Sequence, residues 1–251
     1  MNPAGRQMVA YWTPKQGTDI SDWEDGAAYS RASGWFAVTD GASTGANSRE
    51  WAYLLARSFV DAGDELVFTT EGFVDWVGAV RAAFDPRAAE FPTSQAPQWV
   101  RETGAHQGAF ATLLGGRVHD GRLQAMAVGD CCLFHLPAQG PPTSFPFDDP
   151  GQFGSSPMLV SSVAHREQAL ADSVRHLSIQ VSPGDVVFAA TDAIAQWLTR
   201  HLRQPAVWQL LVRIGQVGLQ DLCRDLRATG ELTNDDVTLF RAIAGEPGGA
   251  R

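Results

Sequence analysis

Acidic residues stand where predicted strands stop or turns begin, a placement that can assemble a cation site. These positions are Glu24-Asp25, Asp40, Asp192 and Asp235-Asp236, with Asp130 in a tight Gly129-Asp130 turn. Strand ends that meet at one edge of a sheet sandwich would bring such carboxylates together, and hard divalent cations such as Mg²⁺ prefer oxygen ligands. Taken singly, each position also suits a turn residue or a helix cap, Asp192 in particular. The set, rather than any member, predicts a divalent-cation site.

Short β-rich segments must position these acids. Alternating or continuous apolar residues between turn signals predict strands, and Asp120-Gly121 is typical of a hairpin turn. The predicted strands are Met8–Thr13, Gly26–Ser30, Gly34–Thr39, Gly108–Leu114, Arg122–Val128, Cys131–Leu136, Val174–Val181, Asp185–Ala190 and Val237–Ile243. Neighbouring strand residues point to opposite faces, so Cys131 and Cys132 are expected in different layers.

Helical periodicity lies between the strand groups. Asn47 and Glu50 resemble a capping box that opens an apolar run from Trp51 to Phe59. Further helices are predicted over Glu71–Phe84, Gln95–Glu102, Ala193–His201, Pro205–Ile214 and Leu219–Ala228. The segment from Pro137 to Ser156 lacks periodicity and is interpreted as a surface loop or a flap beside a site. This pattern predicts one α+β domain over residues 1–251.

Composition excludes several function classes. The 251 residues carry a net charge of −9 and no basic run, which argues against nucleic-acid binding. No apolar stretch is long enough for a membrane span, and the first residues lack the pattern of a secretory signal. The three cysteines show no spacing of a zinc site or disulfide framework, so they are interpreted as structural thiols of a cytoplasmic protein.

The order of the acidic motifs resembles that of metal-dependent type 2C (PPM) Ser/Thr protein phosphatases, in particular a divergent bacterial branch. Glu24-Asp25 resembles the early Glu-Asp pair of that family, and Phe36–Gly41 its apolar strand ending in Asp-Gly. Gly108–Thr112 loosely matches a Gly-x-Thr-Ala strand. Further matches are Ala127–Asp130, Gly184–Asp192 and Asp235–Thr238. Together the matches run from Glu24 to Ala242.

The resemblance implies a four-layer αββα sandwich of two antiparallel sheets flanked by helices, with two Mn²⁺ or Mg²⁺ ions at one end. Asp40, Asp192 and Asp235 would be the catalytic metal ligands, joined by the Gly41 carbonyl. Asp25 and Glu24 would act directly or through water, and Asp130 would help hold a third, weaker ion. It also implies hydrolysis of phospho-Ser or phospho-Thr by a water bridging the ions, without a phosphoenzyme.

Two departures from the family pattern concern a group that binds the substrate phosphate and a proposed proton donor. The family carries an Arg before its Glu-Asp pair, whereas Thr18–Trp23 contains none. Lys15 is the candidate to bind the phosphate, although it lacks the bidentate guanidinium; Arg49 and Arg6 are others. The His that follows Asp-Gly in many eukaryotic members is absent from Asp40–Gly45.

Three functions are therefore open. The first is a phosphatase acting on a phosphorylated protein, with a partner Ser/Thr kinase and no nucleic acid or membrane as partner. The second is a weak or inactive phosphatase-fold module that binds a phosphorylated partner or kinase. The third is a phosphoesterase acting on small molecules.

Overall fold

The strands form two five-stranded sheets and one short pair. The computed structural model describes residues 7–42, 47–84, 108–154, 157–164 and 166–245. The strands are β1 (Gln7–Thr13), β2 (Gly26–Tyr29), β3 (Trp35–Thr39), β4 (Phe110–Ala111), β5 (Leu113–His119), β6 (Arg122–Val128), β7 (Cys132–Leu136), β8 (Thr143–Phe145), β9 (Val160–Ser161), β10 (Arg175–Gln180), β11 (Val186–Ala190) and β12 (Val237–Ile243). The first sheet has the order β1-β12-β11-β7-β8, the second has the order β10-β6-β5-β3-β2, and β4 pairs with β9. Every pairing in the described residues is antiparallel.

Helices cover the outer face of each sheet. They are α1 (Ser48–Ala62), α2 (Thr70–Ala83), α3 (Glu167–Ser173), α4 (Asp192–Arg200), α5 (Pro205–Arg213) and α6 (Gln216–Ala228). Short 3₁₀ turns occur at Ile20–Asp22, Glu65–Phe68 and Pro150–Gln152. The α1 and α2 helices pack on the second sheet, and α4, α5 and α6 pack on the first. This is the predicted αββα sandwich, which is confirmed.

Three apolar layers separate the four layers of secondary structure. The layer between the sheets includes Phe36 of β3, stacked on Phe240 of β12 with ring centroids 4.7 Å apart. Cys131 lies in this inter-sheet layer, whereas Cys132 lies in the layer beneath α4–α6. The predicted division of the two cysteines between layers is therefore confirmed. The strand pattern had to be nearly continuous in β3 and β11 because both faces of these strands are buried.

The predicted strand Gly108–Leu114 is wrong in its bounds. Strand pairing is interrupted at Thr112, which separates β4 from β5. The β5 strand then continues through Gly115 and Gly116 to His119. Glycine usually weakens a strand, but here a Cβ at Gly115 would overlap the ring of Phe59, and one at Gly116 would meet Phe36. The two glycines allow aromatic rings to pack directly against the backbone of the sheet.

The predicted capping box at the start of α1 is also wrong. Asn47 is the N-cap residue, but its backbone is left-handed with φ 62°, and its side chain makes no capping hydrogen bond. The predicted helix Gln95–Glu102 lies outside the described residues. The α3 helix was not predicted, because only Leu170 among its residues is buried and the apolar periodicity is short. No helix within the described ranges has the length and apolarity needed to cross a membrane.

Candidate metal centre

The strand registers bring the acidic positions to one end of the sandwich. In the second sheet Gly26 pairs with Thr39, so the preceding Asp25 and the following Asp40 lie at the same end. In the first sheet Ala190 pairs with both Leu239 and Cys132. That register places three further acids at the corresponding end of the first sheet, namely Asp192, Asp236 and Asp130.

Thr112 holds the backbone of Asp40 on both sides. The Asp40 N–H donates to Thr112 Oγ1 at 3.2 Å, and the Thr112 N–H donates to the Asp40 carbonyl oxygen at 2.8 Å. Burial raises the pKa of the Asp40 carboxyl well above its usual range, and four neighbouring carboxylates raise it further: Asp25, Asp192, Asp130 and Asp235. The carboxyl group of Asp40 therefore interacts electrostatically with four other acids of the predicted set.

Asp25 is held by two threonine hydroxyls from the opposite sheet. Thr191 Oγ1 donates to Asp25 Oδ2 at 3.0 Å, and Thr238 Oγ1 donates to the same oxygen at 2.7 Å. The other oxygen, Oδ1, is buried and has no hydrogen-bond partner among the described residues. Burial raises the pKa of Asp25 well above its usual range, and Asp236 and Asp192 add to the shift. A buried carboxyl group with hydrogen bonds to one oxygen only is suited to bind a cation through the other oxygen.

Asp130 and Asp192 are a second pair of perturbed acids. Burial raises the pKa of Asp130 to about 6, and its Oδ1 has no hydrogen-bond partner within the ranges that the structure describes. Burial, together with Asp130 and Asp235, raises the pKa of Asp192 to about 7. Asp192 is the first residue of α4, and its Oδ1 accepts from the Ala193 N–H at 2.5 Å. The start of a helix is a favourable place for a negative charge.

The adjacent acids Asp235 and Asp236 are bonded differently. Asp236 is buried, and its two oxygens accept from the backbone N–H groups of Lys15 and Glu24, each at 2.8 Å. Asp235 is more exposed, and its Oδ1 accepts the Asp236 N–H at 2.9 Å. Asp236 is therefore a structural acid that fixes two segments of chain beside the site.

Lys15 and Glu24 form an ion pair beside the acids at this end of the sandwich. The Lys15 Nζ lies 3.6 Å from Glu24 Oε2, and both side chains are about a quarter exposed. Burial alone would lower the pKa of Lys15, but the negative charges of Glu24, Asp236 and Asp235 outweigh it and raise that pKa. Lys15 thus stays charged among the acids.

Gly41 lies in a place where only glycine fits. A Cβ there would lie 2.7 Å from the Glu24 carbonyl oxygen and 2.9 Å from the Ser48 carbonyl oxygen. Gly41 also forms a bridge with Ala111 of β4. Because Gly41 has no side chain, its backbone packs directly against the Glu24-Asp25 segment. This contact brings Asp40 and the Glu24-Asp25 pair close enough to belong to one site.

No family model and no curated protein matches this sequence. Solved structures do match it along nearly the whole chain. The Mycobacterium tuberculosis serine/threonine phosphatase PstP/Ppp is 16% identical, with 96% of this chain and 100% of that chain covered at a TM-score of 0.60. The catalytic domain of PstP in complex with two manganese ions is 14% identical, with 96% and 99% covered at 0.60. The photosystem II phosphatase PBCP is 15% identical, with 95% and 98% covered at 0.59.

This chain has the fold of these phosphatases. The match spans both sheets and both helical layers, so the fold implied by the order of the acidic motifs is confirmed. At this level of identity the similarity concerns the path of the chain. The chemistry that this chain can perform is determined by the side chains of the site itself.

The acids fit a divalent cation by chemistry. Asp25 and Asp130 each present a buried oxygen that finds no hydrogen-bond partner in the described residues. Neighbouring carboxylates raise the pKa values of Asp40 and Asp192, an effect that a cation would reverse. As the side chains stand, no three His, Cys, Asp or Glu residues within the described ranges are arranged to hold an ion. The structure therefore brings the predicted ligands to one end of the sandwich without setting their final coordination.

Three threonines of the site were missed at the level of sequence: Thr112, Thr191 and Thr238. All three are buried, with at most 2% of their surface exposed. The sequence signal was a hydroxyl residue at the end of, or inside, an otherwise apolar predicted strand; for Thr191 and Thr238, acids also lie within two positions. That signal is weak, because threonine is also a common strand residue.

Proposed function

We propose that this chain is a metal-dependent phosphoprotein phosphatase that hydrolyses phospho-Ser or phospho-Thr. The observation that carries the proposal is the gathering of buried, mutually repelling carboxylates at one end of a phosphatase fold. Strongly raised pKa values in such a cluster are typical of functional sites rather than of solvated surfaces.

Two ions, Mn²⁺ or Mg²⁺, would be held by Asp40, Asp192 and Asp235, with the Gly41 carbonyl, Asp25 and Glu24 contributing directly or through water. Asp130 would help hold a third, weaker ion. When bound, such ions acidify a water nucleophile and neutralise charge on the phosphoryl oxygens. Manganese accompanies the PstP catalytic domain, which supports the choice of cation class.

The chain's own residues orient the reaction. Thr112 fixes the Asp40 backbone, and Asp236 fixes the segments that carry Lys15 and Glu24. Lys15, kept charged by its acidic neighbours, would bind the phosphate of the substrate as a point charge. The buried thiols of Cys131, Cys132 and Cys223 have raised pKa values, caused mainly by burial, so they are poor nucleophiles and need no catalytic role.

The wider setting is part of the same proposal. A phosphorylated protein would be the substrate, and a Ser/Thr kinase would oppose the phosphatase in a signalling pair. Three free, buried cysteines are compatible with a reducing compartment such as the cytoplasm of a bacterium.

One observation favours the second candidate, a phosphatase-fold module that binds a partner without turnover. Lys15 is already paired with Glu24, and the segment Gln16–Trp23 contains no Arg that could bind phosphate in its place. A third candidate, a small-molecule phosphoesterase, would retain the same acids and differ only in substrate.

The test is hydrolysis of p-nitrophenyl phosphate and a phosphothreonine peptide with EDTA, Mg²⁺ or Mn²⁺. Wild-type protein is compared with Asp40→Asn and with the exposed control Asp61→Asn on α1. Turnover that needs the cation, disappears in Asp40→Asn and persists in Asp61→Asn would support the proposal. Folded protein without turnover under any cation would overturn it in favour of the binding module. Preference for nucleotides or sugar phosphates over the peptide would favour the third candidate.

A further inference from the structure

Thr191 occupies the N-cap position of α4 but does not cap the helix. A threonine at this position normally accepts a hydrogen bond from an N–H of the first turn. Thr69, the N-cap of α2, does so by accepting from the Gly72 N–H at 3.1 Å. The Thr191 side chain makes no such bond. Its hydroxyl is committed elsewhere, at the cost of a stabilising cap.

The partners of the Thr191 hydroxyl fix the direction of its hydrogen bonds. Thr191 Oγ1 accepts from the Thr238 N–H at 2.9 Å, so its own proton is free to be donated to Asp25 Oδ2 at 3.0 Å. The Thr238 hydroxyl donates to the same Oδ2 at 2.7 Å. Thr191 and Thr238, named here the threonine clamp, are both fully buried.

The threonine clamp joins the two sheets through a single carboxylate oxygen. Asp25 precedes β2 of the second sheet, whereas Thr191 follows β11 and Thr238 lies in β12 of the first. Two donors on Oδ2 fix the rotation of the carboxyl group and therefore the direction of Oδ1, for which the described part of the chain provides no hydrogen-bond partner. Structural acids of this protein look different: Asp236 and Asp185 have both oxygens bonded.

We propose that Thr191 and Thr238 are positioning residues that aim Asp25 Oδ1 at the divalent cations of the site. The inference rests on the proposed function, since it takes Asp25 as part of the cation site. A purely structural clamp would serve stability alone. A positioning clamp sets the affinity for the cation, because residues that orient ligands typically change metal affinity by about 10-fold to 100-fold when removed.

The test measures Mn²⁺ binding by isothermal titration calorimetry, independently of turnover. Thr191→Val, Thr238→Val and the double variant remove the hydroxyls while keeping the branched shape, and Thr191→Ser and Thr238→Ser keep the hydroxyls. Thr199→Val is the matched control, because Thr199 is a buried threonine of α4 whose hydroxyl donates to the Ala195 carbonyl oxygen at 2.8 Å. Circular dichroism and thermal unfolding establish that each variant is folded.

We expect each Val variant to bind Mn²⁺ about 10-fold or more weakly, with Ser variants and Thr199→Val close to wild type. Unchanged or tighter Mn²⁺ binding in folded Val variants would overturn the clamp while leaving the proposed function intact. If the double variant fails to fold, the single variants decide in the same way. Wild-type protein that binds no Mn²⁺ would overturn the proposed function and the clamp together.

Discussion

The two ends of β11 carry acids of opposite character. At one end, burial raises the pKa of Asp185, but hydrogen bonds from the Ser182 and Ala138 N–H groups and from His135 outweigh it, so the pKa is lower than usual. At the other end, burial and the charges of neighbouring acids raise the pKa of Asp192 to about 7. Only five strand residues and Thr191 separate the two carboxyl groups.

The difference lies in what surrounds each acid. Asp185 Oδ1 accepts from Ala138 at 2.8 Å, and Oδ2 accepts from Ser182 at 2.9 Å and lies 3.0 Å from His135 Nε2. Donors there satisfy the charge, so the acid supports the fold. Around Asp192 the neighbours are mostly other acids, and the hydrogen bond from the Ala193 N–H does not outweigh burial and their charges, so a bound proton or a cation would stabilise this carboxyl group. The acid at one end of the sandwich therefore stabilises the protein, and the acids at the other end are those that we assign to the proposed cation site.

The largest expected effect is on catalysis at the acidic end. Asp40→Asn and Asp192→Asn should each lower Mn²⁺-dependent hydrolysis of p-nitrophenyl phosphate by about 100-fold or more, since loss of a ligand should exceed the loss of a residue that orients one. Their unfolding free energy without cation should not fall, because repulsion is removed. Initial rates and urea unfolding measure both effects. Full activity in either variant would refute the ligand assignment.

The second-largest loss of activity is expected for Thr112→Val. This substitution removes the hydroxyl that accepts the Asp40 N–H while keeping the side-chain shape. We expect kcat to fall by about 10-fold or more with KM for the substrate little changed. Thr112→Ser should recover most of the activity. Steady-state kinetics provide the comparison, and a Ser variant as impaired as the Val variant would assign Thr112 to packing instead.

At the opposite end of the sandwich we expect Asp185→Asn to lower the stability of the protein and to leave its activity unchanged. Three donors would then face an amide that cannot accept all of them, and the unfolding free energy should fall by about 1–3 kcal/mol. Activity of the folded fraction should remain. Denaturant unfolding beside the rate assay tests both parts. Full stability in the Asp185→Asn variant would contradict the assignment of Asp185 as a structural acid.

The pH dependence of stability in EDTA should separate the two ends. Asp130 and Asp192 bind protons more tightly when folded, with pKa values of about 6 and about 7, so unfolding free energy should fall as pH rises from about 4 to 7. Asp185, with a lowered pKa, contributes stability above its unfolded value and loses it as pH falls. Thermal unfolding of Asp192→Asn should show a flatter decline from pH 4 to 7. An unchanged slope would contradict the raised pKa.

The smallest effect concerns Lys15. The partly exposed Lys15–Glu24 pair should contribute less than about 1 kcal/mol to stability. If Lys15 binds the substrate phosphate, Lys15→Gln should raise KM severalfold with kcat nearly unchanged, and Lys15→Arg should restore binding. Kinetics with a phosphothreonine peptide are decisive, and an unchanged KM would transfer the role to another cation.

The sequence predicted the fold class and the end of the sandwich where the acids meet, because acids directly beside strand ends keep their place once strands pair. It did not predict which of two adjacent acids is structural, as with Asp235 and Asp236, since that depends on backbone N–H groups more than 200 positions away. The bonds of Thr191 and Thr238 to Asp25 likewise join residues far apart in the chain. The β5 extension was hidden by Gly115 and Gly116, whose role is to admit aromatic rings.

The most direct measurement is Mn²⁺ titration of wild type, Asp192→Asn and Asp185→Asn by calorimetry, with thermal unfolding beside it. We expect two bound ions in wild type, each adding about 2.7 kcal/mol of stability at a free concentration 100 times the Kd of its site. Asp185→Asn should retain that binding, and Asp192→Asn should lose most of it. Equal Mn²⁺ binding in Asp192→Asn and wild type, or none in wild type, would contradict the assignment of this end to cations.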